Sequence, residues 1–231
     1  GKKIAYKSSL KENYQLFIYD IQTGKSRFIR PPKNLIGQPF FMRNGSIVVN
    51  YGGICQIIGQ DGKLIKSISD VTSNIIVVTP DDKYLVYTDL DDRLWAYAID
   101  KGEKFQLTPD GERYFSPLPS PVENKVICNK LGGMLTVIDV PSGKAKTIDT
   151  GDYFYFTPSG RYIVFTKTTD DGERIISGEI YYTELETIKP IKLELKGGIK
   201  LASTYHPLKG LAYVNDNGDL FYAKIRKDEN K

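Results

Sequence analysis

A short phrase recurs along this chain and sets the strongest constraint on its fold. "YDIQTGK" (19–25) returns as "IDVPSGK" (138–144), and a degraded copy, "AIDKGEK", occupies 98–104. Asp20, Asp100 and Asp139 end the three copies' strands at intervals that correspond to two periods and one period of about 40 residues. A period of this length is typical of solenoids and propellers.

A second pattern shares this period and consists of a proline, a polar turn and an alternating apolar strand. Its copies are "TPDDKYLVYT" (79–88), "TPSGRYIVFT" (157–166) and "YHPLKGLAYV" (205–214), with "FMRNGSIVVN" (41–50) and "SPLPSPVENKVICN" (116–129) as variants. One complete unit contains four short runs of β-forming residues joined by short polar turns. A repeated four-stranded unit of this length predicts a β-propeller blade.

We therefore predict an all-β chain that folds as a β-propeller. Six blades of four antiparallel strands are expected, with seven or five as alternatives. The blades are placed at about 2–30, 38–69, 74–108, 113–148, 152–195 and 202–226, in one domain, 1–226, followed by a charged tail, 227–231. The first blade lacks its innermost strand and the last its outermost, so the two ends are expected to meet where the ring closes.

Both faces of a typical strand in this chain are apolar. In "RLWAYAI" (93–99), the residues on one face are Leu94, Ala96 and Ala98, and those on the other are Trp95, Tyr97 and Ile99. A strand with two apolar faces is typical of a sheet packed between two neighbours rather than one with a solvated side.

The repeated phrase itself is interpreted as the turn between the third and fourth strands of each unit. Its Asp accepts backbone N–H groups, its Gly takes the left-handed conformation, and its Lys begins the outer strand. A phosphate-binding loop would need a helix directly after the glycine, with N–H groups that point at the anion. Strand-like sequence follows instead, so the motif is predicted to be structural.

The segments "VTPDDKYLVYT…LWAYAID" and "FTPSGRYIVFT" carry a resemblance to a known family. Their pattern resembles the repeat of TolB-like, WD-like propellers, and the resemblance covers nearly the whole chain. The same pattern occurs in propeller domains of the prolyl-oligopeptidase family and in some pectin-degrading lyases. The resemblance implies a six- or seven-bladed propeller that is often extracytoplasmic and often binds protein. It transfers no binding residue, because its motif marks turns.

Charge and hydropathy argue against two classes of partner. The net charge of +4 arises from 32 basic and 28 acidic residues that are interspersed. A nucleic-acid surface would need a basic stripe with interleaved aromatic residues, and none is found. No stretch approaches the roughly 18 apolar residues that span a membrane. We therefore predict no nucleic-acid binding and no membrane insertion.

The cysteines and the first residue bear on the compartment. Cys55 and Cys128 lie in apolar, strand-like runs, and we predict buried free thiols, with a disulfide as the alternative. Gly1 stands where an initiator Met belongs. We interpret it as a cleavage remnant and expect that a leader was removed.

No constellation of catalytic residues is found. The single histidine, His206, is expected at the foot of a first strand, and no G-x-S-x-G motif is present. "VNDNGDL" (214–220) resembles a calcium loop but is interpreted as an Asn-Gly hairpin. "TKTTDDGERII" (166–176) is interpreted as a solvated hairpin tip, with a cation site at its acidic residues as the alternative. We predict no enzyme activity, no metal and no cofactor.

The residues predicted to bind lie at one mouth of the central channel. In a propeller, the turns from second to third strands and the connections between blades share this mouth, and loops on a rigid scaffold are where function concentrates. Tyr and Arg are enriched at binding hot spots. The predicted rim consists of Tyr51, Asp91, Asp92, Arg93, Arg113, Tyr114, Lys130, Asp152, Tyr153, Asn215 and Asp216.

The function expected from this combination is a non-catalytic propeller of the bacterial envelope, periplasmic or otherwise extracytoplasmic, that binds a protein or peptide. Two alternatives remain. One is a propeller that binds or processes carbohydrate, with a small glycan as ligand, because aromatic rims also stack on sugars. The other is the propeller domain of a prolyl-oligopeptidase-type hydrolase without its catalytic domain.

Overall fold

The structure, a computed structural model, describes residues 2–206 and 210–223. Within these ranges the chain forms 22 strands in six antiparallel sheets and no helix. The all-β prediction is therefore confirmed. The described residues include no helix of the length and hydropathy that crossing a membrane requires.

In every sheet, strands that are neighbours in sequence pair with each other, so each sheet is an antiparallel meander. Sheet 1 contains β1 (Lys3–Leu10), β2 (Asn13–Asp20) and β3 (Lys25–Lys33); sheet 2 contains β4 (Phe40–Phe41), β5 (Ile47–Tyr51), β6 (Ile54–Ile58) and β7 (Leu64–Ile68); sheet 3 contains β8 (Ile76–Val78), β9 (Tyr84–Thr88), β10 (Leu94–Ala98) and β11 (Glu103–Gln106).

The remaining three sheets follow in the same order. Sheet 4 contains β12 (Tyr114–Pro119), β13 (Lys125–Lys130), β14 (Met134–Asp139) and β15 (Ala145–Thr150); sheet 5 contains β16 (Asp152–Phe156), β17 (Tyr162–Asp170), β18 (Ile175–Glu184) and β19 (Ile191–Lys192); sheet 6 contains β20 (Lys200–His206), β21 (Gly210–Asn215) and β22 (Leu220–Ala223). The six-blade count, the single-domain assignment and the meeting of the chain ends stay predictions, and the tail lies outside the described residues.

Among the described residues, the core consists of five clusters of buried apolar side chains, one between each pair of successive sheets. Strand β10 shows why the sequence requires this arrangement. Leu94 and Ala96 pack toward sheet 4, whereas Tyr97 and the partly buried Trp95 pack toward sheet 2. Both faces of the strand are therefore covered, as its two apolar faces predicted.

The turn prediction is confirmed for two copies of the repeated phrase. Asp20 accepts the backbone N–H groups of Gln22 and Thr23 at 3.0 and 2.9 Å. Gly24 has φ +67° and donates to the Asp20 carbonyl, and Gly143, with φ +70°, occupies the same place after Asp139. Glycine is required at both positions because this conformation is strained for other residues.

The third copy needs a correction. Gly102 donates its N–H to the carbonyl of Ala98, where β10 ends, rather than to Asp100. Ala98 is therefore the counterpart of Asp20 and Asp139, and Asp100 lies two residues beyond it. The repeat is real, but the Asp of the degraded copy has no equivalent role.

One end of the sheets, which we name the mouth end, carries the turns between second and third strands together with the connections between sheets. Backbone hydrogen bonds hold these two kinds of loop against each other. Leu131 donates to Arg113 at 2.9 Å, and Gly52 donates to Leu35 at 2.8 Å. Each bond joins a turn to the connection that enters its sheet, so the shared end that the sequence predicted is present.

The opposite end, which we name the floor end, is tied by side chains. The carboxylate of Asp82 accepts the backbone N–H groups of Arg43 and Asn44, both at 2.8 Å. Asn124 donates from Nδ2 to the carboxylate of Asp81 at 2.8 Å. These bonds link the first turns of sheets 2, 3 and 4.

Sheets 1 and 6 each present apolar side chains on the face that points away from their described neighbour. In sheet 1, Tyr6 stacks on Phe17 at 5.3 Å, and Phe28 meets Phe17 edge-on at 6.3 Å while about half exposed. In sheet 6, Leu220 and Tyr222 occupy the corresponding face and are exposed. The four inner sheets are covered on both sides.

Candidate functional site

A cavity of about 570 Å³ lies at the mouth end of the channel. Its wall is built mainly from the first, innermost strands of sheets 2 to 5 and from the residues just before them. The lining side chains include Phe40, Ser116, Asn129, Asp152, Tyr153 and Thr168. Because these residues come from three different sheets, only the arrangement of the sheets around the channel brings them together.

Two backbone irregularities shape the wall. The pairing of β12 with β13 shifts register between Phe115 and Leu118, and the pairing of β16 with β17 shifts after Asp152. Ser116 and Tyr153 lie in these bulges with φ of +52° and +48°. Left-handed conformations cost non-glycine residues about 1–3 kcal/mol and cluster at ligand sites. Bulges also re-aim side chains, and both residues line the cavity.

The polar groups of the cavity converge on one carboxylate. Thr168 donates from Oγ1 to Asp152 Oδ2 at 3.3 Å, and the Asn129 amide nitrogen lies 3.5 Å from Asp152 Oδ1. Asn129 Oδ1 is buried and has no hydrogen-bond partner within the described ranges. The wall therefore presents a carboxylate, with the unpaired amide oxygen of Asn129 beside it.

At the floor end, the side chain of Arg43 connects the first turns of two sheets. Arg43, in the first turn of sheet 2, reaches the carbonyl of Pro121 in the first turn of sheet 4, with 3.4 Å between Nη2 and O. Sheet 3 lies between these two sheets in sequence. This contact, with the Asp81 and Asp82 bonds, connects the first turns of sheets 2, 3 and 4 at the floor end.

Exposed aliphatic side chains stand around the mouth end. Leu90 is 98% exposed and Leu131 is 62% exposed. They occupy the same position in the turns of adjacent sheets, one residue after the carbonyls of Asp89 and Lys130, which close the turns by accepting N–H groups. We call Leu90 and Leu131 the leucine pair. Ile54 and Ile176, also exposed, lie at this same end.

Of the predicted rim residues, the structure places Asp152 and Tyr153 in the cavity wall. Tyr153 is half exposed. Arg113 and Asp216 are exposed at the mouth end but do not line the cavity. Two neighbouring residues of the predicted rim therefore line the cavity.

Three predicted rim residues are buried and perform structural roles. Tyr51 is 7% exposed; its hydroxyl donates to the Pro31 carbonyl at 2.6 Å, and the Arg30 guanidinium lies 4.5 Å from its ring. Tyr114 is 1% exposed. Asn215 is buried and accepts the N–H of Asp219. Neighbouring sheets and loops cover these side chains, which corrects the expectation that they face the mouth.

Arg93 and its acidic neighbours form a closed network. Arg93 contacts Asp89 and Asp91, each at 2.8 Å, and lies 5.9 Å from the Trp95 ring. Burial opposes ionisation of Asp89, but hydrogen bonds from Arg93 and Trp95 outweigh it and lower the pKa of that carboxyl. Asp92 has φ +62° and accepts the N–H of Tyr114 through its carbonyl. These groups organise the turn through their hydrogen bonds, although the Asp91 side chain remains exposed.

Lys130 is also committed to a partner. Its Nζ lies 2.5 Å from Glu112 Oε1, and the Tyr114 hydroxyl donates to the other oxygen of Glu112 at 2.5 Å. The hydrogen bond from Lys130, with that from Tyr114, lowers the pKa of Glu112. The pair joins β13 to the connection before β12.

Sequence reasoning missed Ser116, Asn129 and the leucine pair. Asn129 lies in a run, "KVICNK", that reads as an ordinary strand. An apolar residue at the tip of a polar turn, as in "DLDD" and "KLGG", is a signal that could have identified the leucine pair.

The two segments considered as cation sites form turns held by hydrogen bonds from backbone N–H groups. In "VNDNGDL", Asn215 Oδ1 accepts backbone N–H groups within the turn, as the hairpin interpretation requires. The tip after β17 is a tight turn in which Asp170 and Asp171 accept backbone N–H groups. No group of three metal-ligating side chains occurs within 2–206 and 210–223. The His206 side chain lies outside the described residues.

The described architecture defines the class of protein as a β-propeller. No family model matches the chain, and no curated protein matches it. Among solved structures, it is similar to an oligogalacturonate lyase in complex with manganese (TM-score 0.67, 12% identity, 100% of this chain and 76% of that chain).

Two further solved structures share the fold. The TolB protein of Acinetobacter baumannii gives a TM-score of 0.62 at 13% identity over 95% of this chain, which spans 62% of TolB. The Cps50 (Swd1) β-propeller domain of Myceliophteria thermophila gives a TM-score of 0.59 at 12% identity, with 96% and 94% of the two chains covered. Identities this low support the propeller fold alone.

Proposed function

We propose that this chain is a non-catalytic binding module that takes a protein or peptide at the mouth end. The observation that carries the proposal is the leucine pair, which projects from adjacent turns beside a cavity. Apolar side chains that are largely exposed at turn tips contribute little to the buried core, and clustered exposure of this kind is typical of interaction sites. Burying them on a partner releases about 25 cal/mol for each Å² of apolar area.

The two ends of the channel differ in a way that favours this assignment. At the floor end, hydrogen bonds between turns satisfy the polar side chains. The mouth end has exposed apolar side chains and a cavity that is large enough for one or two side chains of a ligand. A rigid scaffold that presents loops with both features is suited to bind a partner without changing shape.

We place this module in the bacterial envelope, where the TolB-like resemblance of its repeats would put it. The similarity to TolB and to the Cps50 domain is compatible with a binding role but extends only to the fold.

A carbohydrate ligand is the second candidate, and Tyr153 is the observation that favours it. Its half-exposed ring lines a cavity that also contains amide, hydroxyl and carboxylate groups. A flat ring beside such groups can stack on a sugar while the polar groups bond its hydroxyls. Retention of a glycan from an immobilised panel, lost in Tyr153→Ala, would favour this candidate.

The protein-binding proposal is tested with a matched pair of double variants. Leu90→Ser with Leu131→Ser removes the leucine pair, and Leu64→Ser with Ile65→Ser removes two similarly exposed apolar residues on the outer strand β7. Each variant is immobilised and exposed to envelope extract, and the captured proteins are identified by mass spectrometry. Each captured protein is then purified, and its affinity for the two variants is measured directly. Loss of a partner only in the leucine-pair variant supports the proposal, and equal capture by both variants contradicts it.

A further inference from the structure

Among the described residues that line the cavity, Asp152 is the one whose side chain carries a charge at neutral pH. The nearest lysines in the neighbouring strands have other partners. Lys167 pairs with Asp149 at 2.6 Å, and Lys130 pairs with Glu112 at 2.5 Å. Within the described residues, Asp152 therefore faces the cavity without a cationic partner.

The orientation of Asn129 adds a second acceptor. Its Nδ2 points toward Asp152 Oδ1 at 3.5 Å, and the reversed orientation would place two oxygens against each other. The orientation is therefore set by the carboxylate, and it leaves Asn129 Oδ1 buried with no donor from the described chain. A buried acceptor without a donor costs about 1–3 kcal/mol, so a ligand that donates there is favoured.

Tyr153 contributes an aromatic face next to these oxygens. Its ring is half exposed, and its left-handed backbone, φ +48°, holds it in the cavity wall. Cations lie over tyrosine faces elsewhere in this chain, with Lys167 at 4.7 Å from the Tyr181 ring and Arg30 at 4.5 Å from the Tyr51 ring. A carboxylate, an amide oxygen and an aromatic face together match a cation that carries several N–H donors.

We propose that Asp152, Asn129 and Tyr153 form a subsite for the guanidinium or ammonium group of a basic residue in the bound peptide. This inference rests on the proposed function and names the chemistry of the ligand. The aliphatic neighbours of the basic residue then contact the leucine pair. An anionic ligand is disfavoured because Asp152 would repel it, and a neutral ligand would leave that carboxylate uncompensated.

The test uses two synthetic peptides that differ only in charge. Ac-Gly-Leu-Arg-Leu-Gly-amide is compared with the same peptide in which citrulline replaces arginine, because citrulline keeps the shape and removes the charge. Binding is followed by chemical-shift changes in ¹H–¹⁵N spectra, which detect weak complexes and report on the Asn129 side-chain amide directly. We expect saturable shifts at Asn129 and Asp152 with the arginine peptide and about tenfold weaker binding with citrulline.

Two variants locate the effect. Asp152→Asn keeps the shape of the side chain. It is expected to weaken the binding of the arginine peptide about tenfold and to leave the affinity for the citrulline peptide unchanged. Asp100→Asn alters an exposed carboxylate outside the cavity and is expected to change neither. Thermal unfolding of both variants checks that the fold is intact.

Each outcome is decisive. Equal binding of the two peptides, or no binding of the arginine peptide, overturns the cation subsite, and so does an Asp152→Asn variant that binds as tightly as the unaltered protein. Each of these results leaves protein binding through the leucine pair standing if the capture experiment supports it. Failure of the capture experiment with a charge-dependent peptide effect would instead overturn the leucine pair and retain the subsite.

Discussion

Asn50 donates from its side-chain amide to the carbonyl of Thr72 at 2.7 Å, which fastens the second strand of sheet 2 to the connection that enters sheet 3. The amide nitrogen also contacts the Ser73 carbonyl, and Asn50 Oδ1 accepts the N–H of Gly53. The side chain is fully buried. One amide thus satisfies backbone groups of a turn and of a connection between sheets.

Asn50→Ala is expected to destabilise the protein by about 2–3 kcal/mol, because it leaves buried carbonyls and an N–H group without partners. Urea unfolding at pH 7 measures the change in free energy. Asn217→Ala, at an exposed turn, serves as the control and should cost less than about 0.5 kcal/mol. Similar losses in the two variants would contradict the role of Asn50.

Gly62→Ala is expected to destabilise the protein by more than a strained backbone alone explains. An added Cβ would lie 1.9 Å from the Ile29 carbonyl oxygen, where the turn before β7 meets sheet 1. Gly111 has the same φ, +83°, and open space around it. Gly111→Ala should therefore cost only about 1–2 kcal/mol, and thermal unfolding of both variants should show a clearly larger loss for Gly62→Ala.

Asp89→Asn is expected to remove stability that depends on pH. The folded-state pKa of Asp89 is lowered, so its contribution is present above the unfolded pKa of about 3.9 and disappears as pH falls through the folded value. The variant should be about 1–2 kcal/mol less stable at pH 7, because Asn cannot accept every bond from Arg93 and Trp95. Urea midpoints between pH 3 and 7 should converge at the acidic end; a constant gap would exclude this explanation.

The two cysteines are expected to resist modification while the protein is folded. Both are free and buried, as the sequence predicted. Burial raises the pKa of Cys55 to about 12 and also raises that of Cys128, and the thiolate is the reactive form. A chromogenic disulfide reagent at pH 8 should label neither thiol in buffer and both in urea. Cys55 lies in the apolar cluster between sheets 2 and 3, and Cys128 in that between sheets 3 and 4. Rapid labelling in buffer would show that one of these two interfaces opens readily.

Tyr153→Gly should be more stable than Tyr153→Ala by about 1 kcal/mol, because glycine adopts φ +48° without strain. Both variants remove the ring and should weaken ligand binding equally. Thermal unfolding of the two proteins under identical conditions measures the difference. A more stable alanine variant would mean that the backbone leaves the left-handed region when the ring is removed.

The strands and turns could be predicted from the sequence because their signals are local. Alternation along "RLWAYAI" reports two covered faces, and Asp20 with Gly24 forms a turn from residues four apart. The Asp100 error had a local cause as well, since the degraded copy has an Asp two residues beyond the position that matters. Period and turn chemistry therefore define the sheets well.

The site was less predictable because its residues act through distant neighbours. Asp152 and Tyr153 could be placed at the mouth end, but the burial of Tyr51 and Tyr114 depends on segments outside their own turns. The left-handed conformations of Ser116 and Tyr153 interrupt strands whose sequences favour regular pairing. Asn129 becomes part of the site only because β13 and β16 meet at the cavity, where its amide approaches Asp152.

The succession of five apolar interfaces has a consequence for the rigidity of the cavity. Sheets 2 to 5, which build its wall, are each packed between two described neighbours. Two buried apolar interfaces must break before one of these sheets separates, and regions with dense buried contacts open least often. The geometry around Asp152 is therefore held by the part of the molecule that resists local opening.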